Sequence, residues 1–160
     1  MNFKKGFTLI ELLVVVAIIG LLSTVVLSAL NNARGKGNDA GVKSNLRNAI
    51  SQAEIFYNTN TVAINTYTNV CTNGVVGGAQ GVGAQVQAAT KAAGISGNFS
   101  NDVVGTATTA TCNDSAGGWA AEVPLSTAAG TNQMWCVDSS GKSKQETGSS
   151  FSTATTYTCN

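Results

Sequence analysis

Few side chains in this 160-residue chain could carry chemistry, and Glu11 has the most demanding position. It stands inside an apolar segment, five residues after Gly6, with nineteen uncharged residues (12–30) behind it. A carboxylate held in lipid costs at least about 2.5–3.5 kcal/mol, so it calls for a partner or a purpose. The plainer alternative is a residue near the headgroups that is merely tolerated. No histidine occurs anywhere, which removes Ser-His and Cys-His nucleophile pairs. Asp102, Asp114, Glu122, Asp138 and Glu146 are single and scattered, so no acid–base constellation is expected and the chain reads as a non-enzyme.

Metal and cofactor chemistry is equally poorly served. Cys71, Cys112, Cys136 and Cys159 are widely spaced, whereas a zinc site wants close pairs such as C-x-x-C. They read instead as two disulfides formed in an oxidising compartment. Asn113-Asp114 and Asp138 could line a calcium loop, but turn-forming Asx residues account for them more simply. The glycine-rich stretch 77–83 has no phosphate-loop lysine and reads as a flexible approach to a helix. No metal or cofactor is therefore expected. A net charge of +1 leaves no clear nucleic-acid signature.

The elements that must position Glu11 follow from composition. Residues 12–30 span about 28 Å as a helix, close to the roughly 30 Å of a bilayer core. Lys4 and Lys5 on the N-terminal flank keep that end cytoplasmic and export the rest, which puts the cysteines on the oxidising side. Leu27 and Ala29, or Asn31 and Ala33, fit the small-residue pattern of a secretory cleavage site poorly, so an uncleaved signal anchor is the more serious rival. Beyond it, Val42, Leu46, Ala49, Ile50, Ala53 and Phe56 or Tyr57 recur every three or four residues, the face of an amphipathic helix. One helix of about fifty residues, ending at Asn58 to Asn60, is expected, with Gly35, Gly37 and Gly41 as weak points costing about 1 kcal/mol each.

The last hundred residues carry only eight charges and few large apolar groups. A second helix is expected over 82–93 with Gly94 as its C-cap. Short strands are expected over 106–112, 119–125, 134–138 and 152–159, with turns at Asp114 to Gly118, at Ala129, Gly130, Thr131 and Asn132, and at Ser140-Gly141. The fold class is α+β: a long N-terminal helix, half transmembrane and half amphipathic, packed on a small, mainly antiparallel sheet. If a hairpin turned at Thr147-Gly148, Cys136 and Cys159 would stand opposite one another, each eleven residues away. Cys112 and Cys136 on strands flanking 119–125 would be roughly 9–10 Å apart, too far for a disulfide. Cys136–Cys159 with Cys71–Cys112 is the preferred pairing, one of three connectivities.

Lys4-Lys5-Gly6-Phe7-Thr8-Leu9-Ile10-Glu11 ahead of the apolar run resembles the processing site of the type IV pilin and type II secretion pseudopilin superfamily. That resemblance covers about residues 4–57. It implies a leader over 1–6, a transmembrane and polymerisation helix over 7–30, an amphipathic helix over 31–59 and a disulfide-stapled head over 60–160. It further implies cleavage between Gly6 and Phe7 by a prepilin peptidase, N-methylation of Phe7, and Glu11 as the assembly glutamate meeting a neighbour's Phe7 amine. The partners implied are other pilin subunits in a homopolymer, the peptidase, and the membrane before assembly. The location implied is a single-pass membrane protein, N-terminus cytoplasmic, that becomes an extracellular fibre. Many members have a proline where Ser28 stands here, so melting of the helix near Gly20 is not carried over. The rivals are a secretion pseudopilin and an uncleaved, signal-anchored ectodomain that binds a ligand.

Overall fold

A computed structural model describes residues 6–95, 99–106, 108–126 and 132–160. Lys4 and Lys5, and the expected turn residues Ala129, Gly130 and Thr131, lie outside the described residues. Two compact units are present, one up to Gly35 and the other from Lys36 to Asn160. Helix α1 (Leu9–Thr59) contributes to both.

In the first unit α1 is built from aliphatic residues with no proline to break it, and it runs unbroken through Gly20 and Ser28. Its large apolar side chains, with Phe7 just ahead of them, are 45–88% exposed. The hydroxyls of Ser23 and Thr24 donate to the carbonyls of Ile19 (2.7 Å) and Leu21 (2.8 Å) of their own helix. Polar groups so satisfied can enter a medium that offers no hydrogen bonds. The helix is long and apolar enough to cross a membrane.

In the second unit α1 buries Val42, Leu46, Ala49, Ala53 and Phe56, spaced four and three apart as the sequence pattern requires. Ile50 and Tyr57 of the expected stripe are half-buried. Helix α2 (Gly83–Ala92) adds Val86 and Ala89 to the same core. Gly94, at φ +78, ends it: its N–H donates to Lys91 O (3.0 Å) and the Ile95 N–H to Thr90 O (3.2 Å), a Schellman motif. Gly41, expected to weaken α1, has a packing reason, because a Cβ there would lie 3.2 Å from the Ala92 Cβ.

Between the helices, β1 (Val75–Val76) and β2 (Ala79–Gln80) form a two-residue hairpin. Gly77 and Gly78 form its turn, both at positive φ, as a type I′ turn demands. The stretch 77–83 is thus in part a defined hairpin and not a featureless approach to α2.

The main sheet has the order β3-β4-β5-β6-β7: β3 (Ser100–Asn101), β4 (Thr111–Asp114), β5 (Trp119–Pro124), β6 (Gln133–Asp138) and β7 (Ser143–Thr147). Every pair is antiparallel except β3 with β4. Cys112, Ala121 and Val137 are register partners, as are Val123 and Trp135, and all lie in the core shared with α1 and α2. The Lys43 ammonium rests 4.6 Å above the Trp135 ring, a cation–π contact between α1 and β6. The alternate residues Asn113, Ala120, Glu122, Cys136 and Asp138 point to the opposite face. That face is covered by the C-terminal segment, which buries Phe151 and Cys159 there.

Two expected strands need correction. Residues 106–112 yield only the start of β4, with a single Thr106–Thr109 bridge before it. Residues 152–159 form no strand. Thr153 and Thr156 bond one another locally, backbone and hydroxyl, and such side-chain bonds compete with a sheet ladder. The fifth strand is instead Ser143–Thr147, whose polar Ser-Lys-Gln-Glu-Thr sequence has no apolar alternation because it lies at a sheet edge. Consequently the β6–β7 hairpin turns near Gly141 (φ +85) and not at Thr147-Gly148.

Candidate assembly segment and its supporting head

The segment Gly6–Glu11 opens α1 with a reciprocal cap. Thr8 stands just ahead of the helix, and its backbone N–H and hydroxyl both donate to Glu11 Oε2, at 2.9 and 2.8 Å. The Glu11 N–H donates back to Thr8 Oγ1 at 3.3 Å. This is a capping box, Thr-x-x-Glu, which satisfies helix N–H groups that would otherwise lack acceptors. Its consequence for Glu11 is asymmetric. Oε2 is engaged within the chain, while Oε1 has no hydrogen-bond partner among the described residues. The segment stays open around this carboxylate: Phe7 is 88% exposed, and a Cβ on Gly6 would meet nothing within 4 Å.

In the head the buried acids hold loops. Glu122, on β5, accepts from the Ser149 hydroxyl, from the Ser150 N–H (3.0 Å) and from the Gly105 N–H. A Cβ at Gly105 would collide with that carboxylate, which explains the glycine. Burial pushes the Glu122 carboxyl above its usual range, its three hydrogen bonds oppose this, and the like charge of Glu146 adds to it. Glu146 in turn pairs with Lys144 at 3.0 Å, close enough for an ion pair though not aligned as a hydrogen bond. Asp138 Oδ1 accepts from the Ser140 N–H (2.8 Å) and hydroxyl (2.6 Å), and Oδ2 from the Cys159 N–H (2.9 Å). Asp114 is pushed up to about 6, first by burial, while the N–H groups of Asn69 and Val70 pull it down. Asp39, on α1, accepts from the Ser126 N–H (2.7 Å) and hydroxyl (2.8 Å), tying the helix to the end of β5. Among the described residues no group of three potential metal ligands converges.

The cysteines are joined as Cys71–Cys112, with Cα atoms 5.7 Å apart, and Cys136–Cys159, 5.9 Å apart. One bridge lies on each face of the sheet: Cys71 and Cys112 in the helix-facing core, Cys136 and Cys159 under the C-terminal segment. The Thr8 contact was not singled out from sequence, although the Thr-x-x-Glu spacing is a known helix-start signal. Nor were the loop-holding roles of Asp39, whose partner Ser126 lies 87 residues away, and of Glu122, whose partners Ser149 and Ser150 lie 27 and 28 away.

Comparison with known proteins adds two findings. A family model, the prokaryotic N-terminal methylation motif, matches residues 1–27. The type IV wide pilus major component PilA4 of Thermus thermophilus is 42% identical over 69 residues, 43% of this chain. The match spans half of that relative's length. No solved structure matches. The motif match thus lies on the opening residues that carry Glu11, and part of the chain is similar to a type IV pilin.

Proposed function

We propose that this chain is the structural subunit of a type IV pilus-like fibre, cut between Gly6 and Phe7, methylated at Phe7, and assembled through its N-terminal helix. The observation that carries the reading is an exposed apolar helix with one carboxylate, Glu11, at its start, one oxygen of which has no partner among the described residues. An apolar surface of this extent needs lipid or other helices around it. Before assembly the bilayer supplies that cover, and in the fibre neighbouring helices replace it. Oε1 of Glu11 is then available to the Phe7 amine of the next subunit, while Thr8 keeps the carboxylate oriented. Two charges that are costly alone in a low-dielectric interior offset one another when paired, so register follows from the penalty for leaving them apart.

The test compares sheared surface fibres with the membrane pool. Wild-type fibres are expected to contain subunits that begin at methylated Phe7, read by N-terminal mass. Glu11→Ala is expected to insert and be cut normally, because removing the carboxylate eases insertion, yet to enter fibres poorly. Glu11→Gln keeps a hydrogen bond but no charge and should be intermediate at best. Mature protein that retains residues 1–6, or Glu11→Ala found in fibres at the wild-type level, would overturn the proposal.

A further inference from the structure

Apart from the apolar part of α1, exposed large aliphatic side chains gather in two places among the described residues. The first lies at the end of α1, where Ile55 is 54%, Val62 74%, Ile64 68% and Val75 67% exposed. These segments are held side by side: the Thr61 N–H and hydroxyl donate to Gly77 O (2.9 and 2.8 Å), and Gln52 Nε2 donates to Gln80 O (2.8 Å). The second is the pair Val103 and Val104, 37% and 43% exposed, beside the β3 edge of the sheet. Asp102 just before them adopts φ +53, a left-handed conformation that sets the two valines on a sharp turn. Its N–H is fixed to Cys112 O at 3.3 Å.

Charge distinguishes the two surfaces. Arg47, Ser51 and Ile55 are all exposed and follow one another at intervals of four along α1, so they share a face. Arg47 and Asp102 are both exposed, and neither side chain has a hydrogen bond or ion pair among the described residues. Asp102 faces the like charge of Asp114, which helps to raise that group. Among the described residues an unpaired cation, Arg47, thus lies two turns before Ile55 on its face, while the nearer Glu54 is engaged by the Tyr67 hydroxyl (2.8 Å), and an unpaired anion, Asp102, borders the second surface.

We infer that these surfaces are the two halves of one contact between copies of this chain: Asp102-Val103-Val104 of one head docks on the Arg47–Ile55 face of the next. Val103 and Val104 cover Ile55 and Val62, and Asp102 meets Arg47. Arg47 and Ile55 lie about 12 Å apart along the helix. Asp102 and Val104 lie at most about 7 Å apart, the limit for two residues of chain, and the long arginine side chain covers the difference. Because the halves are different surfaces, the contact is heterologous, the kind that propagates an open helical array and does not close as a dimer. The inference rests on the fibre reading above and supplies a second contact, between heads, in addition to the helix core.

The test uses the full chain in cells, comparing sheared fibre with membrane pool. Arg47→Glu and Asp102→Arg, each alone, should lower that ratio about tenfold, since like charges then face one another across the contact. Arg47→Glu combined with Asp102→Arg should return to within about twofold of wild type, the signature of a direct pair. Leader removal and both disulfides in the membrane pool should be unchanged, which separates lost docking from lost folding. Should a reversal fail to accumulate, Arg47→Gln and Asp102→Asn read the same contact: the double variant should be no worse than either single. Single reversals at the wild-type ratio, or a double that adds the two losses, would overturn the inference and leave these surfaces to another ligand. A wild type without fibres would instead fail the fibre reading itself.

Discussion

Removing the Cys136–Cys159 bridge, as the double variant Cys136→Ala with Cys159→Ala, tests how the face of the sheet turned away from α1 is held. The bridged residues are separated by 23 positions, and the loop-closure relation gives about 3.4 kcal/mol at 25 °C for a loop of that size. The same relation gives about 3.9 kcal/mol for Cys71–Cys112, separated by 41. The C-terminal segment keeps other ties: Cys159 donates its N–H to Asp138 Oδ2 (2.9 Å), and its carbonyl accepts from Lys142 Nζ (2.7 Å). Ser149 and Ser150 remain on Glu122. The native fold should therefore survive, with the loss showing as reduced stability. Urea titration of the protein in detergent, followed by tryptophan emission, reads it directly, because Trp119 and Trp135 are both buried. With a slope near 1.5 kcal/mol per molar urea, the midpoint should fall by about 2 M. Far-ultraviolet helix signal before the transition should be unchanged. A midpoint shift below about 0.5 M would refute the reasoning, since it would mean that the bridge constrains nothing the remaining ties do not already constrain.

Two further outcomes are expected. Asp114 is raised from 3.8 to about 6, so between those values the folded head binds more protons than the unfolded chain, and this group's contribution to stability falls as pH rises through that window. Asp114→Asn should remove that part of the slope, read as the wild-type-minus-variant difference in urea midpoint at pH 4 and pH 7; an unchanged difference refutes it. Thr8→Val removes the hydroxyl that both donates to Glu11 and accepts from it, which should lower fibre incorporation while membrane insertion and leader removal stay intact. Incorporation equal to wild type would show that Glu11 needs no orienting partner.

The helix was legible because its signals are local. The uncharged run set its apolar part, and the spacing of Val42, Leu46, Ala49, Ala53 and Phe56 set the face that α1 buries. Gly94 marked the end of α2 for the reason a C-cap glycine usually does. A further reason for Gly41 lies fifty-one residues away at Ala92, and only packing reveals it.

The C-terminal part was legible only where strands alternate or run apolar. β5 and β6 were readable from Trp119 to Leu125 and from Met134 to Asp138, and their neighbouring positions correctly separated Cys112 from Cys136 by one strand. The partner of Cys136 was reached by a hairpin that does not exist. Cys159 comes near Cys136 because its segment lies across the sheet as an irregular cover, fastened by Asp138 and Glu122, and not because a strand runs beside β6. Period and propensity describe elements that pair their own backbones. A segment rich in serine and threonine can instead be held by buried carboxylates reaching up from a sheet, and those carboxylates look in sequence like scattered acids. That Glu122 and Asp138 are wholly buried yet bonded is what distinguishes a fastening from a solvated charge, and burial is a property of the fold that no short stretch of sequence carries.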